Sequence, residues 1–313
     1  MAVGILVCCV WRATPAPAQD MGPKAYAAAP IGGNFLVMSY NWSRGDVLVD
    51  PTLPIADVHA DLQGLVVATG HSFGLFGKLA GVSAALPYVW ADVTGKIQEQ
   101  ARETTRSGLA DAQVKLSINL RGNPAMLLRE FVKAPRRTVV GASIAVTAPA
   151  GQYYDTKLIN LGTNRWAFKP EVGVAWPKGP WDVDAYVGVT FFTANADFYP
   201  GGSRRTQEPI VAIQGHASYT LRPRLWVAAD GTWYSGGRTR VNGGDLSIRV
   251  NNSRLGATVS MPVGVRYSLK VAYNSGAYVR TGSDFNTLTV AWQALWLSPR
   301  FAGSQRPQTS SAY

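Results

Sequence analysis

Three groups of residues have the types and spacing to do chemistry. Gly70-His71-Ser72-Phe73-Gly74 fits G-x-S-x-G, the sharp strand-to-helix turn that exposes a nucleophilic serine. Asp57, His59 and Asp61 are spaced two apart, so an extended chain would put three metal-ligating side chains on one face. His216 lies downstream of Ser72, where a Ser-His hydrolase would place its general base.

The elements that would have to position these groups argue against catalysis. An elbow needs a helix after Ser72, but Leu75 to Trp90 contains Gly77, Gly81 and Pro87, with Ala80, Val82, Ala84, Leu86, Tyr88 and Trp90 alternating as in a strand. Alternation puts His216 on a polar inner face and Ser72 on the opposite, lipid-facing side. A hydrogen-bonded pair would then have to form across a wall. The Asp57, His59, Asp61 set reads as the polar side of a strand lining a wet interior. No catalytic residue, metal site or cofactor is therefore expected.

Strand periodicity runs through nearly the whole chain. From Leu109 to Arg121, Asp111, Gln113, Lys115, Ser117 and Asn119 interleave with Ala112, Val114, Leu116, Ile118 and Leu120. Trp181, Val183, Ala185, Val187, Val189 and Phe191 interleave with Asp182, Asp184, Tyr186 and Thr190. Counting every such segment gives twelve strands. Short connections at 76–78, 177–180, 221–224 and 261–264 alternate with long, polar ones at 43–54, 94–108, 150–164, 195–206 and 236–251. The stretch 123–138 is long for the short-turn side, and 277–283 is short for the other. Tyr40, Trp42, Tyr88, Trp90, Trp166, Phe168, Trp176, Trp181, Trp233, Trp292 and Trp296 mark strand ends, where aromatic girdles meet a bilayer interface.

This pattern predicts an all-β fold, a transmembrane antiparallel barrel of about 12 strands with short periplasmic turns and longer extracellular loops. Composition agrees: among 313 residues there are 32 Gly, 10 Trp and 13 Tyr, and nothing resembles a run of about 18 apolar residues. Cys8 and Cys9 fall in an apolar N-terminal run followed by Ala16-Pro17-Ala18, which reads as a signal peptide cleaved after residue 18. The expected layout is signal peptide 1–18, N-terminal periplasmic segment 19–32, barrel 33–296 and C-terminal tail 297–313. The net charge of +11 is spread over paired basic residues such as Arg136 and Arg137 or Arg204 and Arg205. These suit lipopolysaccharide or headgroup phosphates better than nucleic acid.

The stretches Pro30 to Ile55, Ala148 to Val174 (with its block "NLGTNRW") and Asn251 to Val263 resemble the outer-membrane barrel family labelled putative meta-pathway of phenol degradation. One departure is Ala110, where a glycine is expected in a "GLGD" turn. The resemblance implies a transporter-like barrel in a bacterial outer membrane, passing aromatic or other apolar compounds, and supplies no catalytic residue. The expected function is passive or selective uptake of small aromatic or hydrophobic molecules. An outer-membrane lipid hydrolase and a non-conducting anchoring barrel are the alternatives. Expected partners are outer-membrane lipid and lipopolysaccharide, the permeant and the barrel-assembly machinery, but no nucleic acid.

On the inner face the parity places Asp57, His59, Asp61, Lys115, Lys169, Glu171, Asp182, Asp184, His216, Asp230, Arg254, Arg266 and Lys270. The aromatic residues Tyr186, Phe192, Trp226 and Tyr234 fall there too, with Phe35 and Phe285. Acidic and basic clusters on different walls would set a transverse field across a pore, whereas cross-strand ion pairs would only brace the wall.

Overall fold

The computed structural model describes residues 22–48, 55–97, 100–199 and 201–299. Its elements are β1 (Gly33–Leu48), β2 (Ile55–Leu75), β3 (Lys78–Ile97), β4 (Gln100–Leu109), β5 (Ala112–Arg121), α1 (Leu128–Phe131), β6 (Val139–Ala148), β7 (Ala167–Lys178), β8 (Trp181–Phe192), β9 (Asn195–Phe198), β10 (Ser203–Gln207), β11 (Ile210–Arg222), β12 (Leu225–Gly236), β13 (Thr239–Val241), β14 (Val250–Val263), β15 (Tyr267–Val279) and β16 (Gly282–Leu297). The signal-peptide region and the tail beyond 299 lie outside the described residues.

Every wall strand pairs antiparallel with its neighbours, and β1 pairs with β16 from Gly33↔Leu297 to Leu48↔Gly282, which closes the sheet. Both β4 and β5 pair with β3, at residues 88–97 and 80–85, so they are two halves of one wall strand broken at Ala110 and Asp111. The sheet of thirteen strands is thus a closed barrel with twelve positions. Closure leaves no unpaired edge, the condition for crossing hydrocarbon without water. The segment 94–108, expected as a loop, instead continues the β3 and β4 ladder to Ile97↔Gln100. A separate sheet of β9, β10 and β13 folds from the long loops at one end.

The pleat sorts the side chains. Along β8, Trp181, Val183, Val187 and Phe191 are exposed outward while Asp182, Asp184 and Tyr186 are buried inward. Trp42, Trp90, Trp166 and Trp233 form an exposed aromatic ring toward the long-loop end. Trp176, Trp181, Tyr267, Trp292 and Trp296 form another toward the short turns. The outer face between them is apolar, as lipid requires.

Strand spacing of 4.7–4.9 Å and a tilt near 40° give a twelve-stranded barrel a backbone radius of roughly 12 Å. Wall side chains just fill an eight-stranded barrel. The wider lumen here has to hold water or inserted chain.

The lumen as candidate functional site

Inserted chain is what occupies the short-turn end. Residues 22–32, expected to lie outside the barrel, run inside it. Lys24 pairs through its ammonium with Asp182, and its backbone N–H donates to Asp184 at 3.0 Å. The Ala25 N–H donates to the Tyr186 hydroxyl at 3.1 Å. Tyr26 is 2% exposed; its hydroxyl donates to Ser143 Oγ at 3.1 Å and its ring meets Tyr186 edge-on, centroids 5.5 Å apart. Further along, the Ile31 N–H donates to the Met126 carbonyl at 2.9 Å, and Ser72 Oγ donates to the Pro30 carbonyl at 2.7 Å and accepts from the Gly33 N–H at 2.9 Å. The segment therefore touches β8, β6, the β5–β6 connection and β2, forming a chord across the lumen.

The wall is shaped for it. Gly141 on β6 and Gly173 on β7 are register partners, and a Cβ at either would lie 2.1 or 2.5 Å from the Tyr26 ring. Val139, Ala175 and Tyr186 complete the cleft. Burial, helped by nearby Glu171 and opposed by the Ser143 hydrogen bond, pushes the Tyr26 hydroxyl up to about 12, so the cleft holds a neutral phenol.

Above this chord the wall carries charge. Lys169 and Glu171 pair at 3.3 Å, and Gln214 donates to Glu171 at 3.1 Å. His216 bonds through Nδ1 to Asp230 at 2.7 Å, and Thr258 Oγ1 donates to the other oxygen of Asp230 at 2.6 Å. Trp226 lies within 5.4 Å of the Lys24 ammonium and 5.7 Å of the Lys270 ammonium. Arg254 donates to the Phe285 carbonyl at 3.0 Å. Phe192 lies under the Arg165 guanidinium, 4.3 Å from its centroid, and Tyr234 and Lys115 also point inward between outward neighbours Trp233, Val114 and Leu116. The inward acidic residues Glu171, Asp182, Asp184 and Asp230 lie on β7, β8 and β12, with Lys169, Lys24 and His216 bonded to Glu171, Asp182 and Asp230, while the inward basic residues Lys115, Arg254 and Lys270 lie on β5, β14 and β15.

Four expected inner residues are elsewhere. Asp57, at φ +53 beside a bulge, accepts from Lys96 at 2.6 Å on the exposed surface. His59 bonds to Asp46 at 3.0 Å and Asp61 accepts from outward-facing Trp42 at 3.1 Å, so both point out of the barrel. The inner residues of that segment are Val58, Ala60 and Leu62. The physical reason is strand length: 21 residues at about 3.3 Å each and a tilt near 40° rise roughly 50 Å, well past an apolar belt of about 25 Å. Beyond the belt the outer face meets water or headgroups, and polar side chains turn outward. Arg266 is exposed in the turn before β15, off the wall altogether. Ser72 faces inward and His71 outward, bonded to Asn34 at 2.8 Å, the reverse of the expected sides. The G-x-S-x-G stretch is the short-turn end of β2, followed by a tight turn and β3, with no helix.

At the long-loop end one part of the lumen is apolar, beside buried polar side chains such as Arg165 and Gln207. Val58, Ala60, Val93 and Phe285 form a buried cluster, with Val47, Leu62 and Ile159 packed against it. Ile159 comes from the loop 149–166, which is latched inward. Asp111 accepts from the Gly151 N–H at 3.0 Å, the Thr163 N–H at 2.9 Å and the Thr163 hydroxyl at 2.6 Å. Asn160 accepts from the Tyr154 N–H at 2.7 Å, and Gly162 lies so close to Gly151 that a Cβ on it would approach that backbone to 2.7 Å. The "NLGTNRW" block is therefore the loop's own fastening, and Ala110 takes the place of the expected glycine without a left-handed backbone.

A closed antiparallel barrel with an apolar belt, two aromatic rings and a constricted lumen defines a protein of the outer-membrane barrel class. The chain belongs to the family described as Putative MetA-pathway of phenol degradation, whose model matches residues 43–291. The crystal structure of an outer membrane channel from Pseudomonas putida F1 shares the fold at 20% identity, covering 88% of this chain and 100% of that one with a TM-score of 0.77. The beta domain of the Bordetella autotransporter BrkA is 11% identical, with 85% and 100% coverage and a TM-score of 0.51. No curated protein matches the sequence.

Proposed function

We propose that this protein is an outer-membrane channel for small apolar or aromatic compounds, held closed at its short-turn end by residues 22–32. One observation carries the reading: the lumen runs from an apolar cluster around Phe285, past inward aromatic side chains, to an inserted segment of chain at the short-turn end. A wall-filling core would need no inserted segment, and the cluster of Val58, Ala60, Val93 and Phe285 favours an apolar permeant over a sugar. The family membership and the channel-like fold support the same reading.

In this reading passage is by diffusion down a gradient. Lipid and lipopolysaccharide surround the outer face, and the barrel-assembly machinery inserts it. The test is the initial uptake of a labelled alkylbenzene and a labelled sugar of similar size by cells with and without the protein. Faster uptake of the aromatic alone is expected. Equal rates in the two strains would overturn the proposal.

A further inference from the structure

The segment that closes the barrel presents a specific chemical group to a shaped cleft. Tyr26 enters as a para-substituted phenol: its hydroxyl reaches Ser143, its ring lies on the glycine surface of Gly141 and Gly173, and its para carbon continues into the lumen as main chain. A leucine or phenylalanine would have filled an apolar cleft equally well, but would leave Ser143 Oγ without this partner.

We infer that the Tyr26 cleft is a binding site for a neutral phenol, and that a phenolic permeant displaces Tyr26 and thereby releases the closing segment. This rests on the channel reading above and names a ligand for it. Tyr26 is tethered to β1 through only a few residues, so it competes as an internal ligand at an effective concentration on the order of millimolar. A free phenol of similar intrinsic affinity must reach comparable concentrations, so the channel would open when its permeant is abundant. The cleft selects the protonated form: Glu171 lies nearby and burial disfavours charge. The para substituent must be one that can extend into the lumen, as the tyrosine backbone does.

Calorimetric titration of detergent-purified full-length Tyr26→Ala with 4-methylphenol tests this directly. The variant should bind at least about tenfold tighter than wild type, whose cleft is occupied. Toluene should bind the variant roughly two- to tenfold more weakly than 4-methylphenol, because Ser143 loses its partner, and Ser143→Ala should erase that difference. A phenol acidic enough to be ionised at the assay pH should bind only when the pH is lowered. Adding Gly141→Ala to Tyr26→Ala should abolish binding, since the new methyl projects into the ring position. Equal affinity of wild type and Tyr26→Ala, or toluene equalling 4-methylphenol in Tyr26→Ala, would overturn the inference. Conductance of the same protein in planar bilayers separates the two readings: binding without current sinks the channel and spares the site, while current without binding does the reverse.

Discussion

A single methyl group on the barrel wall should expel the closing segment. In Gly141→Ala the new Cβ would lie 2.1 Å from one ring carbon of Tyr26 and 2.6 Å from the next. Carbon atoms rest about 3.5–4.0 Å apart, so the ring has to retreat by more than about 1 Å. Retreat forfeits the hydrogen bond to Ser143, worth about 1 kcal/mol, the edge-on contact with Tyr186, about another 1 kcal/mol, and ring burial of about 2 kcal/mol. The total of about 4 kcal/mol shifts the docked-to-released ratio by several hundredfold, at about 1.4 kcal/mol per decade. Lys24, held by Asp182 in the docked state, would become a trypsin site. Limited digestion of the folded protein in detergent, read by mass spectrometry, should show cleavage after Lys24 far faster in Gly141→Ala than in wild type. Gly215→Ala is the control, because a Cβ there meets nothing within 4 Å. Cleavage at the wild-type rate in Gly141→Ala would refute the argument that the inward glycines exist to seat Tyr26.

Other expectations follow from the same contacts. Ser72→Ala removes the hinge bonds to Pro30 and Gly33 and should raise cleavage at Lys24 several-fold, less than Gly141→Ala does; no change would mean the hinge is held elsewhere. Asp111→Ala orphans three donors and should free the loop 149–166, seen as rapid proteolysis after Lys157 while the barrel keeps its heat-modifiable gel mobility; an intact loop would contradict the latch. In the long loops, the hydrogen bond and charge of Arg238 hold the Glu208 carboxyl below its ordinary range. A depressed carboxylate contributes its stabilisation above the unfolded value and loses it as pH falls through the folded one. Carbon-detected titration should find Glu208 ionising low in wild type and closer to the ordinary carboxylate range in Arg238→Gln, where Arg240 and Arg249 remain; identical titrations would remove the pair from the account.

Much of the barrel was legible because a pleated strand has a period of two and a bilayer enforces it: Glu171, Asp184, His216 and Asp230 are inward for the same reason that Val183 and Val187 are outward. That rule reverses where its cause stops. Asp57, His59 and Asp61 lie beyond the apolar belt, so polarity there marks the outside, and Val58 and Ala60 turn in. Arg266 failed for a simpler reason, since a turn has no parity. The closing segment was hidden because Lys24, Ala25 and Tyr26 carry no periodic pattern. Its imprint was nonetheless present as Gly141 and Gly173, inward glycines in register on adjacent strands, a smooth patch that a wall alone does not need. The loop fastening was visible only as the "NLGTNRW" block, without its partner Asp111.

The claim that the lumen is a channel closed by its own N-terminal segment is tested most directly by single-channel conductance in planar bilayers, comparing protein that begins at residue 19 with protein that begins at residue 30. The account predicts small or rare openings for the former and a several-fold larger, steady conductance for the latter. A silent bilayer with both proteins, each shown to be folded by gel mobility, would contradict it.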